Sequence, residues 1–437
     1  MSDSLSPRAV LRARRPSPGY DSGLMGSGMH RQAPRRARPR FAVLIVLPLA
    51  LILGAVLVVR ALVGGKGDKT AAGGVASPSS SHTAVAASPA PSPTGSTTRH
   101  RPQPPAVISD PSNLYAADGP GEFSPNVKGF PERVYVPNTR DGTIDEIDPR
   151  TYTVVKVLQV GGVPHHVTPS WDLKQLYVDN PGSGALQGID PRTGDRTKTI
   201  AVPSPYNLYF TPDGSKAIVV AEYDKLIEFR DRRTWAVLKQ VSIPWAGVDH
   251  MDFSANGRYL LTSCEYTGMV VRVDTVKMKV TGTIDVGGRP VDVKISPDGK
   301  VFYVANQSLS GVSVIDPVHL RQLAFIRTGV GAHGMAVSRN AKLLYVSNRI
   351  AGTISVISFK SRQVVATWSV GGSPDMLQVS PSGKQLWATN RFGNTVSVIS
   401  TATGTITHTI VVGTEPHGLA FFPQPGRYSV GHNGVYR

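Results

Sequence analysis

Apolar and polar residues alternate in four short runs between Leu344 and Gln385. The runs are separated by glycine, asparagine, Ser-Arg and Pro-Ser-Gly, which favour tight turns. Alternation with a period of two predicts β-strands that bury one face and expose the other. This stretch of 42 residues therefore predicts four antiparallel strands joined by short turns.

The same pattern recurs along the chain at intervals of 42 residues. Asn306, Asn348 and Asn390 each close a similar strand at that spacing. A repeat of about 40 to 45 residues with four strands per unit is typical of a β-propeller. The strands that follow the Val-Gly turns begin near seven positions of this repeat: His165, Asn207, Asp249, Val291, His333, Asp375 and His417. We therefore predict an all-β, seven-bladed propeller of four-stranded antiparallel blades.

The chain enters the repeat part-way through a unit, so one blade must combine both ends of the repeat. We expect the strands at 133–138, 142–148 and 153–160 to pair with an inner strand near 418–422. Such a closing blade leaves no free sheet edge between the first and last units. The run 428–432 is surplus to seven blades, and either competes for the place of the strand at 133–138 or lies outside the blade.

One strand of the repeat carries the sequence Tyr-Val-x-Asn in four of the units. It occurs at 135–138, 177–180, 303–306 and 345–348. In these motifs the region 133–432 resembles the YVTN-family β-propeller repeat proteins. In architecture it is also similar to seven-bladed lactonase-like and haem-d1-type propellers. The resemblance implies that the strand after each Val-Gly turn is the innermost strand of its blade, and that its start faces the mouth of the central channel.

The sequence before the propeller changes composition several times. Residues 1–40 are rich in arginine, proline and serine without hydrophobic periodicity, which predicts a disordered basic tail. Residues 41–63 predict a transmembrane helix, and 64–105 predict a Ser/Pro/Ala/Thr/Gly-rich linker. Residues 106–132 regain aromatic side chains and are expected to lead into the propeller at 133–437.

The apolar segment predicts the topology of the chain. Phe41 to Val59 contains no charged residue, and nineteen residues of helix span about 28 Å, close to the thickness of a hydrocarbon core. Nine arginines precede it, so we expect a single-pass protein of the cell membrane with a cytoplasmic N-terminus and an extracytoplasmic propeller. The alternative is a cleaved signal peptide, whose apolar region is usually shorter.

Charge, cysteine content and sequence motifs exclude only a few classes of function. The formal net charge is +17, and the folded part remains basic, which suits anionic partners or simply a solvated surface. Cys264 is the only cysteine, so an intrachain disulfide and a C-x-x-C-H haem attachment are excluded. No G-x-S-x-G, H-E-x-x-H, P-loop or Rossmann glycine motif occurs.

Four residues of consecutive blades are candidates for a metal site. His333, Asp375, His417 and His165 begin the inner strands of neighbouring blades around the closing point. Histidine and aspartate are ligands of zinc and similar divalent ions, and they also serve as acid–base pairs. The alternative is that they are structural turn residues.

Other residues at the same level are candidates for ligand binding. The repeated asparagines are expected to be structural, because asparagine at a strand end satisfies loose backbone groups. Departures from the repeat are better candidates. Together with further inner-strand residues, the set is His166, Asn207, Glu222, Asp249, His250, Cys264, Glu265, Asp292, Arg349 and Arg391. For Cys264 the alternative is a small, buried core residue.

These features predict a ligand-binding or protein-interaction scaffold of the cell envelope, with an envelope protein or a small molecule as its partner and no certain cofactor. The alternative is a lactonase-type hydrolase that uses a divalent metal ion held by the His/Asp group. A platform for an anionic polymer or nucleic acid rests only on the basic charge, and we do not expect nucleic acid to be the partner.

Overall fold

The computed structural model describes residues 112–432 and 435–437. The predicted basic tail, transmembrane helix and linker, and part of the predicted lead-in segment, lie outside these residues. Within the described part, no helix is long and apolar enough to cross a membrane.

The described strands form seven antiparallel sheets arranged as the blades of a propeller. Blade 1 contains β1 (Arg133–Asn138), β2 (Thr143–Asp148), β3 (Thr153–Gln159) and β28 (Ala420–Phe422). Blade 2 contains β4 (His166–Pro169), β5 (Leu176–Asn180), β6 (Ala185–Asp190) and β7 (Asp195–Ala201). Blade 3 contains β8 (Pro205–Phe210), β9 (Lys216–Ala221), β10 (Leu226–Asp231) and β11 (Val237–Ser242). Blade 4 contains β12 (Val248–Phe253), β13 (Tyr259–Cys264), β14 (Met269–Asp274) and β15 (Lys279–Asp285).

The remaining three blades continue the same order. Blade 5 contains β16 (Pro290–Ile295), β17 (Phe302–Asn306), β18 (Gly311–Asp316) and β19 (Arg321–Arg327). Blade 6 contains β20 (Ala332–Val337), β21 (Leu343–Asn348), β22 (Thr353–Ser358) and β23 (Gln363–Ser369). Blade 7 contains β24 (Pro374–Val379), β25 (Gln385–Asn390), β26 (Thr395–Ser400) and β27 (Ile406–Val411). Two short strands of the C-terminal tail, β29 (Ser429–Gly431) and β30 (Val435–Tyr436), follow β28. Short 3₁₀ turns occur at Ala116–Asp118, Pro125–Val127 and Pro181–Ser183.

Burial along the strands explains the alternation in the sequence. The inner strand β12 is buried at every position, whereas the outer strand β23 alternates between exposed and partly buried residues. The apolar cores lie between neighbouring blades: Phe229 of blade 3 packs in one cluster with Phe253 of blade 4. Blade-to-blade packing therefore holds the ring together, since each sheet has two faces to cover.

Side chains of the inner strands also connect adjacent blades. The Oδ2 atom of Asp252 accepts a hydrogen bond from the Ile295 backbone N–H at 2.8 Å. One blade further on, Oδ2 of Asp292 accepts from the Met335 N–H at 2.7 Å. These inner strands lie at the edges of their sheets, and the carboxylates satisfy backbone N–H groups on that edge of the neighbouring blade.

The closing blade is built from both ends of the repeat, as the sequence predicts. Strand β28 pairs with β1, with Phe422 opposite Arg133 and Ala420 opposite Tyr135. Strands β1, β2 and β3 complete the blade in that order. The ring is therefore closed by backbone hydrogen bonds and not only by side-chain packing.

The surplus C-terminal strand lies outside the closing blade. Strand β29 pairs with the inner strand β8 of blade 3, where Gly431 is opposite Tyr209, and β30 pairs with β29. The tail thus occupies the central channel. Arg437 is buried and its Nη2 atom lies 2.7 Å from Oδ1 of Asp252. The ring of Tyr428 stacks on Trp171.

The lead-in segment packs on the blades at the end of the channel where the inner strands finish, which we call the base. The Leu114 N–H donates to the Pro297 carbonyl at 2.8 Å, and the Tyr115 hydroxyl donates to the Ile295 carbonyl at 3.0 Å. Val127 joins the core between blades 1 and 2. The opposite end of the channel, where the inner strands begin, is called the mouth.

The repeated asparagines are structural. The Nδ2 atom of Asn390 donates to Thr395 Oγ1 at 3.0 Å and to Ser397 Oγ at 2.8 Å. Gly372, in the turn beside it, has a φ of +57°, and a Cβ there would lie 2.9 Å from the Asn390 side chain. The Val-Gly-Gly turn and the asparagine therefore form one packing unit that holds the mouth ends of two strands together.

Candidate functional site

A cavity of about 440 Å³ opens at the mouth of the channel. We call it the mouth cavity. Its lining includes His165, Tyr206, Glu222, Glu265, Arg289, His333, Arg349, Arg391, Glu415 and His417. These residues lie at the starts of inner strands or directly after second strands, so each blade contributes one or two polar side chains.

Asp375 lies beneath the cavity, and basic side chains of the cavity lie close to its carboxylate. The carboxylate is fully buried, and Oδ1 accepts a hydrogen bond from Nε of Arg349 at 3.1 Å. Nδ1 of His333 lies 2.9 Å from Oδ1, and Nε2 of His417 lies 3.8 Å from Oδ2. Burial alone would raise the pKa of Asp375, but Arg349, followed by His333 and His417, outweighs it and holds that pKa well below its usual range. Asp375 is therefore ionised at neutral pH.

The predicted metal group is assembled only in part. Ligating atoms of His333, Asp375 and His417 lie within 4.8 Å of one another, whereas His165 stands beside them with its ring centroid 5.0 Å from that of His417. The Nη2 atom of Arg349 bonds Asp375 and lies 2.6 Å from Nε2 of His333. The guanidinium already supplies the positive charge between the two groups. A metal ion at this place would have to displace the guanidinium of Arg349. His333, Asp375 and His417 therefore fit a metal ion poorly.

Arg391 is bound less tightly than Arg349. Its Nη1 atom lies 3.7 Å from Oδ2 of Asp375 and its Nη2 atom lies 3.7 Å from Oε2 of Glu415. Both separations exceed hydrogen-bond length. Among the residues that the structure describes, the guanidinium of Arg391 has no hydrogen-bond acceptor within normal distance, and it lines the cavity. It can therefore donate to a ligand without breaking an existing hydrogen bond.

The opposite wall of the mouth cavity is acidic. Glu222 follows β9 and Glu265 follows β13, and Nη2 of Arg289 lies 2.6 Å from Oε1 of Glu265. Burial and the charge of Asp249 raise the pKa of Glu222 to about 7, although a hydrogen bond from Tyr266 acts to lower it. The cavity thus has a cationic wall on blades 6 and 7 and a carboxyl-lined wall on blades 3 and 4.

The sequence matches one family profile over most of the propeller. The profile of the YNCE-like beta-propeller family matches residues 115–425. The chain belongs to this family. No curated protein is significantly similar in sequence to this YNCE-like propeller.

Several solved structures share the fold of the YNCE-like propeller. A functionally unknown protein from Desulfotomaculum acetoxidans is 16% identical with a TM-score of 0.59, covering 66% of this chain and 98% of its own. A candidate 6-phosphogluconolactonase from Bacteroides uniformis is 18% identical with a TM-score of 0.55, covering 66% and 99%. The dihydro-heme d1 dehydrogenase NirN, in complex with DHE, is 14% identical with a TM-score of 0.53, covering 70% and 77%. At these identities the likeness concerns the fold.

Three predicted ligand-binding residues of the YNCE-like propeller are engaged in its framework instead of lining the cavity. Cys264 lies in the core between blades 3 and 4, where burial raises its pKa to about 12, so it is an unreactive thiol. Asp292 joins blades 5 and 6 and pairs with Lys294 at 2.8 Å. Asn207 is buried, and its Nδ2 atom donates to the Asp249 carbonyl at 3.3 Å.

Two of the predicted ligand-binding residues lie deeper in the channel than the mouth cavity. His166 and His250 are fully buried and adjoin His432 of the C-terminal tail.

Several residues that line the mouth cavity were not predicted. They include Tyr206, Tyr266, Arg289 and Glu415. Tyr206 directly precedes Asn207, a position the 42-residue repeat does mark, so counting one residue to either side of each marked position would have found it.

Glu222 gives the stability of the propeller a specific pH dependence. Its raised pKa means that the native state holds a proton that the unfolded state releases between about pH 4.5 and 7. Stability contributed by this group therefore falls as pH rises through that window. We expect Glu222→Gln to be more stable than the wild type at pH 8 by up to about 3 kcal/mol, and equal to it near pH 4.5.

Urea denaturation at the two pH values measures this difference. Asp249, His250, Glu265 and Tyr266 act on the same carboxyl group and are unchanged in the variant. The exposed residue Glu132 provides the control, because Glu132→Gln should leave both midpoints unaltered. A Glu222→Gln variant with the same stability difference at both pH values would contradict the expectation.

Proposed function

We propose that this YNCE-like propeller is a binding protein whose mouth cavity takes a small ligand with an anionic group, such as a carboxylate. The observation that carries the proposal is the guanidinium of Arg391, which lines the cavity while both neighbouring carboxylates stand 3.7 Å away. A ligand carboxylate offers arginine a bidentate, charge-assisted pair. The ligand's anionic group would then lie against blades 6 and 7.

The carboxyl-lined wall supports a second element of recognition. Glu222 and Glu265 face the cavity across from Arg391. A hydroxyl or ammonium group on the ligand could be bound there, because carboxylates accept hydrogen bonds from both. We therefore expect small zwitterions and hydroxy acids to bind better than simple alkanoates of the same size.

A binding role accounts for the His/Asp group better than metal-assisted hydrolysis does. Arg349 fills the position between His333 and Asp375 that a metal ion would need. The charge of Asp375 thereby holds Arg349 by hydrogen bonds and leaves Arg391 available to a ligand.

By the sequence alone we further propose that the predicted helix at 41–63 holds the propeller outside the cell membrane. Protease accessibility in intact cells tests this placement.

The test is a thermal-shift and calorimetric titration with hydroxy acids, α-amino acids and simple carboxylates, each beside its primary amide. We expect at least one class of acid to bind while its amide does not. Arg391→Ala should weaken that binding by roughly 10- to 100-fold, since a hydrogen bond to a charged group contributes about 1.5–3 kcal/mol.

The matched control is Arg321→Ala, which removes an exposed arginine of β19. It should bind the same acids as the wild type. Equal binding by Arg391→Ala and the wild type, or equal binding of acids and amides, would refute the proposed site. If no class of small acid binds to the folded wild type, the proposal fails as a whole.

A further inference from the structure

Three histidines from distant parts of the chain meet inside the channel. His166 begins β4 of blade 2, His250 lies in β12 of blade 4, and His432 follows β29 of the C-terminal tail. Their ring centroids are 4.2 Å apart for His166 and His432, 4.6 Å for His250 and His432, and 5.4 Å for His166 and His250. One ring nitrogen of each lies within 4.8 Å of the others.

These side chains are buried without hydrogen bonds. Their exposed fractions are 0%, 0% and 1%, and none of their six ring nitrogens has a hydrogen-bond partner among the residues that the structure describes. A buried polar group without a partner typically costs about 1–3 kcal/mol. Three such rings, with one ring nitrogen of each within 4.8 Å of the others, are therefore hard to explain as packing alone.

The three imidazoles are buried, and their ring nitrogens have no hydrogen-bond partner among the described residues that would hold them protonated. A neutral imidazole has one nitrogen lone pair in the ring plane that can bind a metal ion. The nearby charge of Lys294 is balanced by Asp292 at 2.8 Å.

The carboxyl group of Asp249 adjoins one of the rings. Nδ1 of His250 lies 2.5 Å from Oδ1 of Asp249, without the alignment of a hydrogen bond. Histidine ligands of metal ions commonly place their second nitrogen against a carboxylate, which orients the ring and raises its basicity. His250 would then bind the ion through Nε2.

We propose that His166, His250 and His432 bind one divalent transition-metal ion, with zinc as the best fit to three imidazole ligands. The ion connects blade 2, blade 4 and the C-terminal tail across the channel. It thereby fixes the tail inside the propeller, beneath the floor of the mouth cavity. The site adjoins the His333–Asp375–His417 group, because the ring centroids of His166 and His417 are 4.7 Å apart, but the two groups share no residue. In that second group Arg349 holds the place of a cation.

The experiment uses the full-length chain, without an affinity tag, after removal of metal with a chelator. Titration with zinc, followed by calorimetry and by elemental analysis, should give one tightly bound ion per chain and a higher melting temperature. Cobalt(II) should give the visible absorption bands of a four-coordinate site. His432→Gln should weaken zinc binding by roughly 100-fold or more, because loss of even an outer-shell partner costs about 10- to 100-fold.

His319→Gln is the matched control, since His319 is exposed and pairs with Asp316. It should keep the wild-type affinity and cobalt spectrum. His432→Gln alters only the tail and therefore remains testable if His166→Gln fails to fold. The proposal is overturned if the folded wild type binds no stoichiometric ion, or if binding survives in His432→Gln. It is also overturned if binding is instead lost in His333→Gln.

Discussion

Replacing Asp375 with asparagine is expected to destabilise the propeller by about 3–5 kcal/mol at pH 7. The carboxylate is fully buried and pairs with Arg349, with Arg391 and the two histidines close by. Asparagine keeps the shape and removes the charge, which leaves the guanidinium of Arg349 without its counterion in a poorly hydrated place. The free energy of unfolding, from urea denaturation followed by circular dichroism, measures the loss.

The pH dependence of this effect has a definite sign. Because the pKa of Asp375 is held well below its usual range, its contribution is present above about pH 4 and is lost as pH falls through the native pKa. The wild type and Asp375→Asn should therefore converge in strong acid. Asp224→Asn, at an exposed residue of the turn after β9, serves as the control and should behave as the wild type at every pH. Equal midpoints for Asp375→Asn and the wild type at pH 7 would show that the ion pair contributes nothing.

Replacement of Arg437 with alanine should have an effect of similar size, about 3–5 kcal/mol. Arg437 is 1% exposed and its Nη2 atom lies 2.7 Å from Oδ1 of Asp252. The other oxygen of Asp252 accepts the hydrogen bond from Ile295 that joins blades 4 and 5. The substitution therefore leaves a buried carboxylate uncompensated and weakens a junction between blades.

A second measurement separates tail release from general destabilisation. Hydrogen exchange of residues 428–437 should accelerate strongly in Arg437→Ala under conditions where the inner strands of blades 5 to 7 remain protected. Arg321→Ala, in an exposed position of β19, should change neither stability nor exchange. Uniform acceleration over all blades would instead mean that the tail has no local anchor at Arg437.

Periodic local signals account for the part of the fold that could be predicted. Strand alternation and turn residues are local properties, and repetition every 42 residues fixes the number of blades without any knowledge of contacts. The closing blade followed because β1 enters the repeat where β28 leaves it. The structural role of Asn390 was also predictable, since asparagine at a strand end commonly satisfies turn backbone groups.

The candidate site was predictable only in outline. The repeat assigned His333, Asp375 and His417 to neighbouring blades at one level, and the structure brings these three together. It did not indicate that Arg349 would lie on Asp375, because one residue past a strand end can point into the cavity or away from it. Cys264 shows the other outcome: its position in the repeat suggested the rim, but its side chain turns into the core between two blades.

The C-terminal tail shows where local sequence patterns stop predicting the structure. The 42-residue spacing of Asn348 and Asn390 continues to His432, yet β29 leaves the ring and pairs with β8 inside the channel. Pairing between segments so far apart depends on which edges and cavities the finished ring leaves open, and no local pattern records that. The seven blades, their closure and the level of each inner-strand residue could be predicted because they follow from short-range periodicity. Which side chains meet in the mouth cavity, and the place of the tail in the channel, could be read only from the folded ring, because side-chain direction and long-range pairing depend on its packing.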